Sequence, residues 1–265
     1  MRRLHPTVSF AALGTLALLY LPLLAVVVFS VNASRHGFVW RGFTLGWYAK
    51  LLQDEYVLEL TRNTLVLAFV STAIATVLGT LLALGMQRFP WPKPARFAME
   101  LVLQLPVVTP DIVFAAAMVV MFGLLRLAWS IFTPGLLTMI IGHVTFQTAF
   151  VALVVRGRLA LLGPTLDEAG RDLYADRLFL FRTITLPLLL PGVVAGALLA
   201  FTLSLDDFVI SFFTAGPTST TLPIYIYASV RRGVSPEIHA LSTLIVLVTV
   251  FLVLSVERAT RYRKE

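Results

Sequence analysis

The sequence predicts an all-α membrane protein whose chain crosses the bilayer about six times. Apolar residues make up 58% of its 265 residues and charged residues only 13%, against about 45–50% and about 25% in an ordinary soluble domain. The apolar residues also fall into blocks of about twenty, the length at which a helix crosses about 30 Å of hydrocarbon. These two observations exclude a soluble globular domain, a disordered chain and a transmembrane β-barrel.

The blocks define six spans and an orientation. In chain order the predicted spans are about 8–31, 65–87, 101–127, 135–155, 192–215 and 240–256. An even number of spans places both termini on one side, and about two thirds of the 21 basic residues then lie on that side. Because basic residues concentrate on the cytoplasmic side, both termini are predicted to be cytoplasmic, in one transmembrane domain that takes in residues 1–265. This asymmetry accounts for the net charge of +7, which gives no support to nucleic-acid binding.

The first span could instead be a signal peptide, because Arg2 and Arg3 precede it. Its apolar run, however, is about twice as long as a typical signal core. Its removal would also leave five spans and place the basic C-terminus on the opposite side of the membrane. We therefore expect this span to be retained.

Prolines and short apolar patterns shape the segments between the first spans. Apolar residues near helical spacing over 45–60 predict a short helix at the outer membrane surface. The three prolines of segment 88–100 predict a stiff cytoplasmic turn. Pro106 and Pro110 predict that the first turns of the third span are broken or kinked.

The longest cytoplasmic loop, 156–191, has a helical pattern of its own. Thr165 followed by Glu168 is typical of a capped helix start. Apolar residues from Phe179 onward predict a second short helix that ends at Pro187. Because a connector needs only a few residues, this patterning indicates a docking element on the cytoplasmic face.

The same loop contains a specific run of residue types. Glu168-Ala169-Gly170-Arg171-Asp172-Leu173-Tyr174-Ala175 is followed by Phe181, Ile184, Leu186, Pro187 and Pro191. This run resembles the EAA loop of ABC-importer permeases, with the pattern E-A-A-x-x-x-G-A and a downstream F-x-x-I-x-L-P-x-x-x-P. Further matches extend nearly end to end, among them Asn63-Thr64-Leu65, Pro110-Asp111-Ile112-Val113 and Leu205-Asp206-Asp207-Phe208. Together they are similar to the second permease subunit of the spermidine/putrescine importer group.

Two positions depart from the EAA pattern. Gly170 replaces the second Ala, and Tyr174 replaces the Gly that is usual in the family. Glycine at residue 174 would allow backbone angles that Tyr resists. The backbone conformation of the turn between the two short helices therefore does not follow from the pattern.

The resemblance implies the type I ABC-importer permease fold, with a cytoplasmic coupling helix that docks on an ATPase. It assigns ATPase coupling to Glu168, Ala169, Gly170, Arg171, Asp172, Leu173, Tyr174 and Ala175. It also implies a cell inner membrane location, polyamine transport, and three kinds of partner: a homologous permease, two cytoplasmic ATPase subunits and an external substrate-binding protein. No cofactor is expected in this chain, because it has no G-x-x-x-x-G-K-[ST] loop to hold nucleotide phosphates. ATP is expected to bind to the partner ATPase.

Acidic residues within the predicted spans are the candidates for the substrate pathway. An ionised Asp at the centre of a membrane helix costs about 2.5–3.5 kcal/mol, so the adjacent Asp206 and Asp207 are expected to face a cavity or protein. They could attract a cationic substrate, or they could pair with an Arg or with backbone amides. Because neighbouring residues lie about 100° apart on a helix, at most one of them points into a central pathway. Asp111 is a third candidate, but as the residue after Pro110 it is expected to cap a new helix.

Other chemistry has little support in the sequence. The four histidines are too scattered for a metal site, and the absence of cysteine excludes thiol catalysis. His143 in the fourth span is expected to make an interhelical hydrogen bond. No catalytic or metal site is predicted, and the chain is not expected to be an enzyme. Two alternative functions are a proton- or ion-coupled secondary transporter that uses the intramembrane aspartates, and an ABC importer for another small solute.

Overall fold

The computed structural model describes residues 6–34, 39–163, 165–172, 174–233 and 235–261. Across these residues the regular elements are helices, and one isolated bridge joins Asn32 to Phe43. The helices are α1 Pro6–Ser30, α2 Gly46–Gln53, α3 Glu55–Arg88, α4 Lys93–Val108, α5 Asp111–Ala128, α6 Leu136–Leu162, α7 Thr165–Asp172, α8 Arg177–Leu180, α9 Leu186–Asp206, α10 Val209–Thr214, α11 Leu222–Arg232 and α12 Pro236–Arg261. A 3₁₀ turn, Ser130–Phe132, precedes α6, and a π-helical segment, Phe181–Thr185, joins α8 to α9.

Helices long and apolar enough to cross a membrane account for most of the described chain. There are five of these among the described residues: Phe10–Ser30, Glu55–Arg88, Asp111–Ala128, Leu136–Leu162 and Arg177–Asp206. A shorter apolar helix, Pro236–Phe251, lies at the sixth predicted span. The predicted all-α membrane fold is confirmed.

The third predicted span consists of two helices. The chain breaks at Thr109 and Pro110, and α5 begins at Asp111. The predicted interruption at Pro110 is therefore present. Pro106, in contrast, lies inside α4, because a membrane helix tolerates the loss of one backbone hydrogen bond where neighbouring groups compensate for it.

Two shorter segments differ from the sequence prediction in their bounds. Helix α2 covers only part of 45–60, because the Asp54 carboxylate accepts the N–H groups of Tyr56 and Val57 at 3.0 and 3.3 Å and so starts α3. The proline turn predicted over 88–100 is likewise shorter than expected. Pro94 lies in the first turn of α4, where a missing N–H costs nothing.

The loop predicted over 156–191 is also shorter than expected. Helix α6 continues to Leu162, α7 follows at Thr165, and the helical structure that leads into the fifth span begins with α8 at Arg177. The expectation that Pro187 ends a helix is wrong. The π-helical segment lets α9 restart at Leu186, so Pro187 lies in a first turn, where proline is tolerated. The fifth span thus starts well before 192, and it ends at Asp206, with α10 as a separate helix.

The chain divides into two compact units. The first consists of Met1–Glu59 and Tyr225–Glu265, and in it α1 and α2 pack against α12. Trp47 Nε1 donates to the Asn32 carbonyl oxygen at 2.8 Å, which ties α2 to the end of α1. The prediction that residues 1–265 form one domain stays a prediction.

The second unit, Leu60–Ile224, is built around α6, which packs against α4, α5, α9 and α10. Val151 of α6 lies against two glycines of neighbouring helices. A Cβ added to Gly79 of α3 would lie 2.7 Å from Val151 Cβ, and one added to Gly196 of α9 would lie 3.3 Å from Val151 Cγ1. Small residues of this kind let membrane helices approach closely, and here they allow both α3 and α9 to pack against α6.

Candidate functional site

The predicted coupling residues form the connector between α6 and α8. Helix α7 contains the first five of them, and the side chains of Glu168, Ala169 and Asp172 are exposed. Leu173 and the side chain of Arg171 lie outside the described residues. The predicted helix start is present, with Thr165 as the first residue of α7.

Gly170 of this helix is buried, and it lies under Leu180 of α8. A Cβ at residue 170 would overlap the Cδ2 atom of Leu180, which is itself buried. Alanine, which the EAA pattern has at this position, would therefore force Leu180 to move. Glycine at this position leaves room for the Leu180 side chain in its present place.

Tyr174 has the left-handed backbone conformation that the glycine of the EAA pattern would adopt easily. Its φ is 56°, and the Ala175 N–H donates to the Gly170 carbonyl oxygen at 3.0 Å. This bond and the left-handed residue before it define a Schellman motif, the common way to end a helix. The turn is therefore retained with Tyr in it, at a cost of about 1–2 kcal/mol for a left-handed residue that has a Cβ.

The chain after this turn leads through continuous helical structure into α9, a helix of the fifth membrane span. The Asp176 carboxylate accepts the Leu178 N–H at 3.2 Å and starts α8. Backbone angles stay helical through the π-helical segment into α9. Arg88 Nη2 donates to Thr185 Oγ1 at 2.9 Å, which also ties the end of α3 to this segment. A force applied to α8 would therefore act on α9.

The two adjacent aspartates at the far end of α9 have different environments. Asp206 is the last residue of α9, and Asp207 begins the break before α10. The Asp207 carboxylate accepts the N–H groups of Ile210 at 3.3 Å and Ser211 at 2.8 Å. Asp207 therefore satisfies the first backbone donors of α10, the role of a helix-capping carboxylate.

His143 of α6 binds the same carboxylate from the other side. Its Nε2 lies 3.2 Å from Asp207 Oδ2 and 3.0 Å from Ser211 Oγ, and its Nδ1 lies 2.8 Å from Ser204 Oγ. Because an ionised carboxylate only accepts, Nε2 donates to it, and in a neutral ring Nδ1 then accepts from Ser204. The predicted interhelical hydrogen bond of His143 is confirmed. The sequence did not indicate that its partners lie at the break between α9 and α10.

Asp206 takes no part in this cluster. Its side chain is exposed on the described chain, and no hydrogen bond or ion pair to another described side chain is present. Its carboxylate is therefore the one of the pair that is available to a cation. The two aspartates, which the sequence could not distinguish, are separated by the break that ends α9.

Asp111 lies apart from both of them. It is the first residue of α5, and its side chain is exposed. The N-cap position belongs to Pro110, so the expectation that Asp111 caps this helix is wrong. A carboxylate in a first turn is favoured by the helix dipole. Within the described residues no hydrogen bond or ion pair joins Asp111 to Asp206 or Asp207, so the three predicted pathway residues do not form one cluster. Over the same residues, no group of three His, Asp or Glu side chains could hold a metal ion.

Known proteins similar to this chain are transport permeases. "Putrescine transport system permease protein PotI" of Escherichia coli (strain K12) is 41% identical over 234 residues, which are 86% of this chain and 81% of that protein. "Spermidine/putrescine transport system permease protein PotC" of the same organism is 37% identical over 246 residues, which are 92% of this chain and 90% of that protein. The protein of the same name from Haemophilus influenzae is 33% identical over 245 residues, 92% of this chain and 93% of that protein.

Solved structures show the same fold at low sequence identity. A chain of a bacterial ABC transporter involved in the import of the acidic polysaccharide alginate superposes with a TM-score of 0.73, covers 95% of each chain and is 18% identical. A chain of the MetNI methionine ABC transporter in an inward-facing conformation has a TM-score of 0.59 and covers 83% of this chain and 98% of its own, at 20% identity. The fold is therefore that of type I ABC-importer permeases. Residues 75–262 match the family described as "Binding-protein-dependent transport system inner membrane component", and with this match over most of its length the chain belongs to that family.

Proposed function

We propose that this chain is one permease subunit of an ATP-driven importer for polyamines. The single observation that carries the choice of solute is its 41% and 37% identity, over most of the chain, to permeases named for putrescine and for spermidine/putrescine transport. The complete importer would contain this chain, a homologous permease, two cytoplasmic ATPase subunits and an external substrate-binding protein. ATP would bind to the ATPase subunits, and this chain would need no cofactor of its own.

Helix α7 and the turn after it would dock on one ATPase subunit. Three features support this assignment: exposed polar residues on α7, a hydrogen-bonded turn, and helical continuity from α8 into α9. ATP binding would close the ATPase pair, and α7 would follow as a rigid body. Because α8 continues into α9, this movement would change the position of α9 and switch the pathway between inward-facing and outward-facing states.

Asp206 would contact the ammonium groups of the substrate. An exposed carboxylate at the end of an apolar helix is costly unless it faces water or a cation, and a polyamine supplies the cation. Asp207, held by His143 and by two backbone N–H groups, would keep the break between α9 and α10 in place. Asp111 would act at the start of α5 and not on the substrate.

The orientation that goes with this function places both termini and α7 in the cytoplasm of a cell with an inner membrane. The chain has no cysteine, so a single cysteine at Ala169 would report its sidedness. We expect a membrane-impermeant maleimide to label this variant in inverted vesicles and not in intact spheroplasts. Labelling in spheroplasts alone would contradict this orientation and indicate the opposite one.

Reconstitution tests the function directly. Proteoliposomes that contain the permease pair and the ATPase, with the binding protein outside and ATP inside, should accumulate labelled putrescine. The accumulation should stop when the ATPase is left out or ATP is replaced by a non-hydrolysable analogue. Uptake by the permease alone on a proton gradient would contradict the proposal and indicate a secondary transporter. ATP-dependent uptake of another solute, with none of putrescine or spermidine, would contradict the choice of substrate.

A further inference from the structure

Tyr174 has a strained backbone and an exposed side chain. Among the non-glycine residues that the structure describes, it alone has a positive φ, at 56°. Its side chain is 98% exposed. The chain thus keeps an unfavourable residue in a turn although its side chain buries almost no surface against the described residues.

The fold offers no reason for a tyrosine at this position. Gly42, Gly163 and Gly233 occupy the other described positions with positive φ, so glycine is this chain's usual solution for such a turn. The EAA pattern has glycine at the position of Tyr174 as well. Backbone strain that the fold does not require points to a function of the side chain.

We propose that Tyr174 inserts its ring into a pocket of the partner ATPase and so selects which ATPase this permease accepts. This inference rests on the proposed docking of α7. Tyrosine is enriched among residues that dominate binding energy, because it buries a large rigid ring and can place its hydroxyl on a polar partner. A side chain in a turn that is almost fully exposed is accessible to such a pocket.

The surroundings of Tyr174 indicate the chemistry of this pocket. Glu168 and Asp172 on α7 and Asp176 after the turn have exposed side chains. Over 165–177 the sequence contains four acidic residues and two basic ones. The complementary surface is therefore an apolar pocket with a polar group at its base and basic residues at its rim.

Selection follows from the difference between tyrosine and glycine. An ATPase that docks on a permease with glycine in this turn needs no space for a ring. Tyr174 would collide with such an ATPase, whereas the ATPase that fits Tyr174 would lose a large contact if glycine replaced it. Specificity of this kind combines an attractive contact with a repulsive one.

Three variants of the full-length permease separate the ring from the backbone strain. Y174A removes the ring and keeps the left-handed residue with a Cβ, Y174G removes both, and Y174F keeps the ring. Affinity is measured in nanodiscs for the ATPase whose gene lies beside the permease gene. A second, non-partner ATPase is taken from an importer whose permease has glycine at this position. L161A, which truncates an exposed side chain at the end of α6, serves as the control.

We expect Y174A and Y174G to bind the partner ATPase at least about tenfold more weakly than the wild type, and Y174F and L161A to stay within about threefold of it. Y174G alone should raise the melting temperature of the permease, because it alone relieves the strain. Y174G should also bind the non-partner ATPase more tightly than the wild type does. Equal binding of the partner ATPase by the wild type and Y174A would overturn the role of Tyr174. Failure of the wild type to bind the partner ATPase would instead overturn the proposed docking of α7.

Discussion

Leu180 of α8 occupies the space that a side chain on Gly170 of α7 would need. This contact fixes how the short helix lies on the one that continues into the membrane. Helix α7 is only eight residues long, too short to be stable by itself in water. Its position therefore depends on the contact with Leu180.

The first prediction concerns this contact. G170A should displace α7 from α8 and reduce coupling, so that ATP hydrolysis by the reconstituted importer continues while putrescine uptake per ATP falls severalfold. The physical cause is overpacking, which costs about 1–3 kcal/mol in a close contact. Uptake and hydrolysis are measured on the same proteoliposomes.

Two further variants serve as a rescue and a control for G170A. The double variant G170A/L180A should recover coupling, because it removes the overlapping methyl groups. G157A on α6, where an added Cβ meets nothing within 4 Å, should behave as the wild type. Normal coupling in G170A would mean that the position of α7 does not depend on Leu180.

The second prediction concerns His143. H143L removes the imidazole donor and leaves the half-buried Asp207 carboxylate with Ser211 and backbone N–H groups as partners. Because a hydrogen bond to a charged group contributes about 1.5–3 kcal/mol, the permease in detergent should melt at a lower temperature. H143Q, which keeps a donor, should recover part of the loss. T145V, on the exposed side of the same helix, is the matched control, and an unchanged melting temperature in H143L would contradict the cluster.

The third prediction distinguishes Asp206 from Asp207. D206N should leave the free energy of unfolding within about 0.5 kcal/mol of the wild-type value. It should lower the ATP-dependent uptake of putrescine, because the charge that attracts the cation is lost. D207N should lower stability by about 0.5–2 kcal/mol through the weakened cap of α10. Stability and putrescine uptake are measured for D206N and for D207N. Normal uptake in D206N would remove this residue from the pathway.

The fourth prediction concerns packing in the membrane. G79A places a methyl group against Val151 and should separate α3 from α6 at a cost of about 1–3 kcal/mol. G85A on the same helix is the matched control, because an added Cβ there meets nothing within 4 Å. Alanine is the better helix former by up to about 1 kcal/mol, so G85A should be neutral or stabilising. Thermal unfolding in one detergent compares the two, and equal destabilisation would contradict the close contact at Gly79.

Much of the fold was predictable because lipid imposes a local requirement. A helix that crosses the bilayer needs about twenty apolar residues in a row, so spans are visible as blocks of sequence. Pro110 marked the start of α5 for an equally local reason, the missing N–H of proline. Pro106 and Pro187 did not end helices, because the surrounding structure decides whether the loss of a hydrogen bond is compensated.

The sequence by itself determined that the protein is helical and lies in the membrane, and its motif indicated a docking segment at α7. Only the tertiary structure decided that Asp207 is held by His143, that Gly170 is covered by Leu180, and that Tyr174 adopts the turn of a glycine. The physical reason is that hydropathy and motif spacing are properties of one segment. Which donor meets which carboxylate, and which side chain fills the space above a glycine, depends on how separate helices pack against one another.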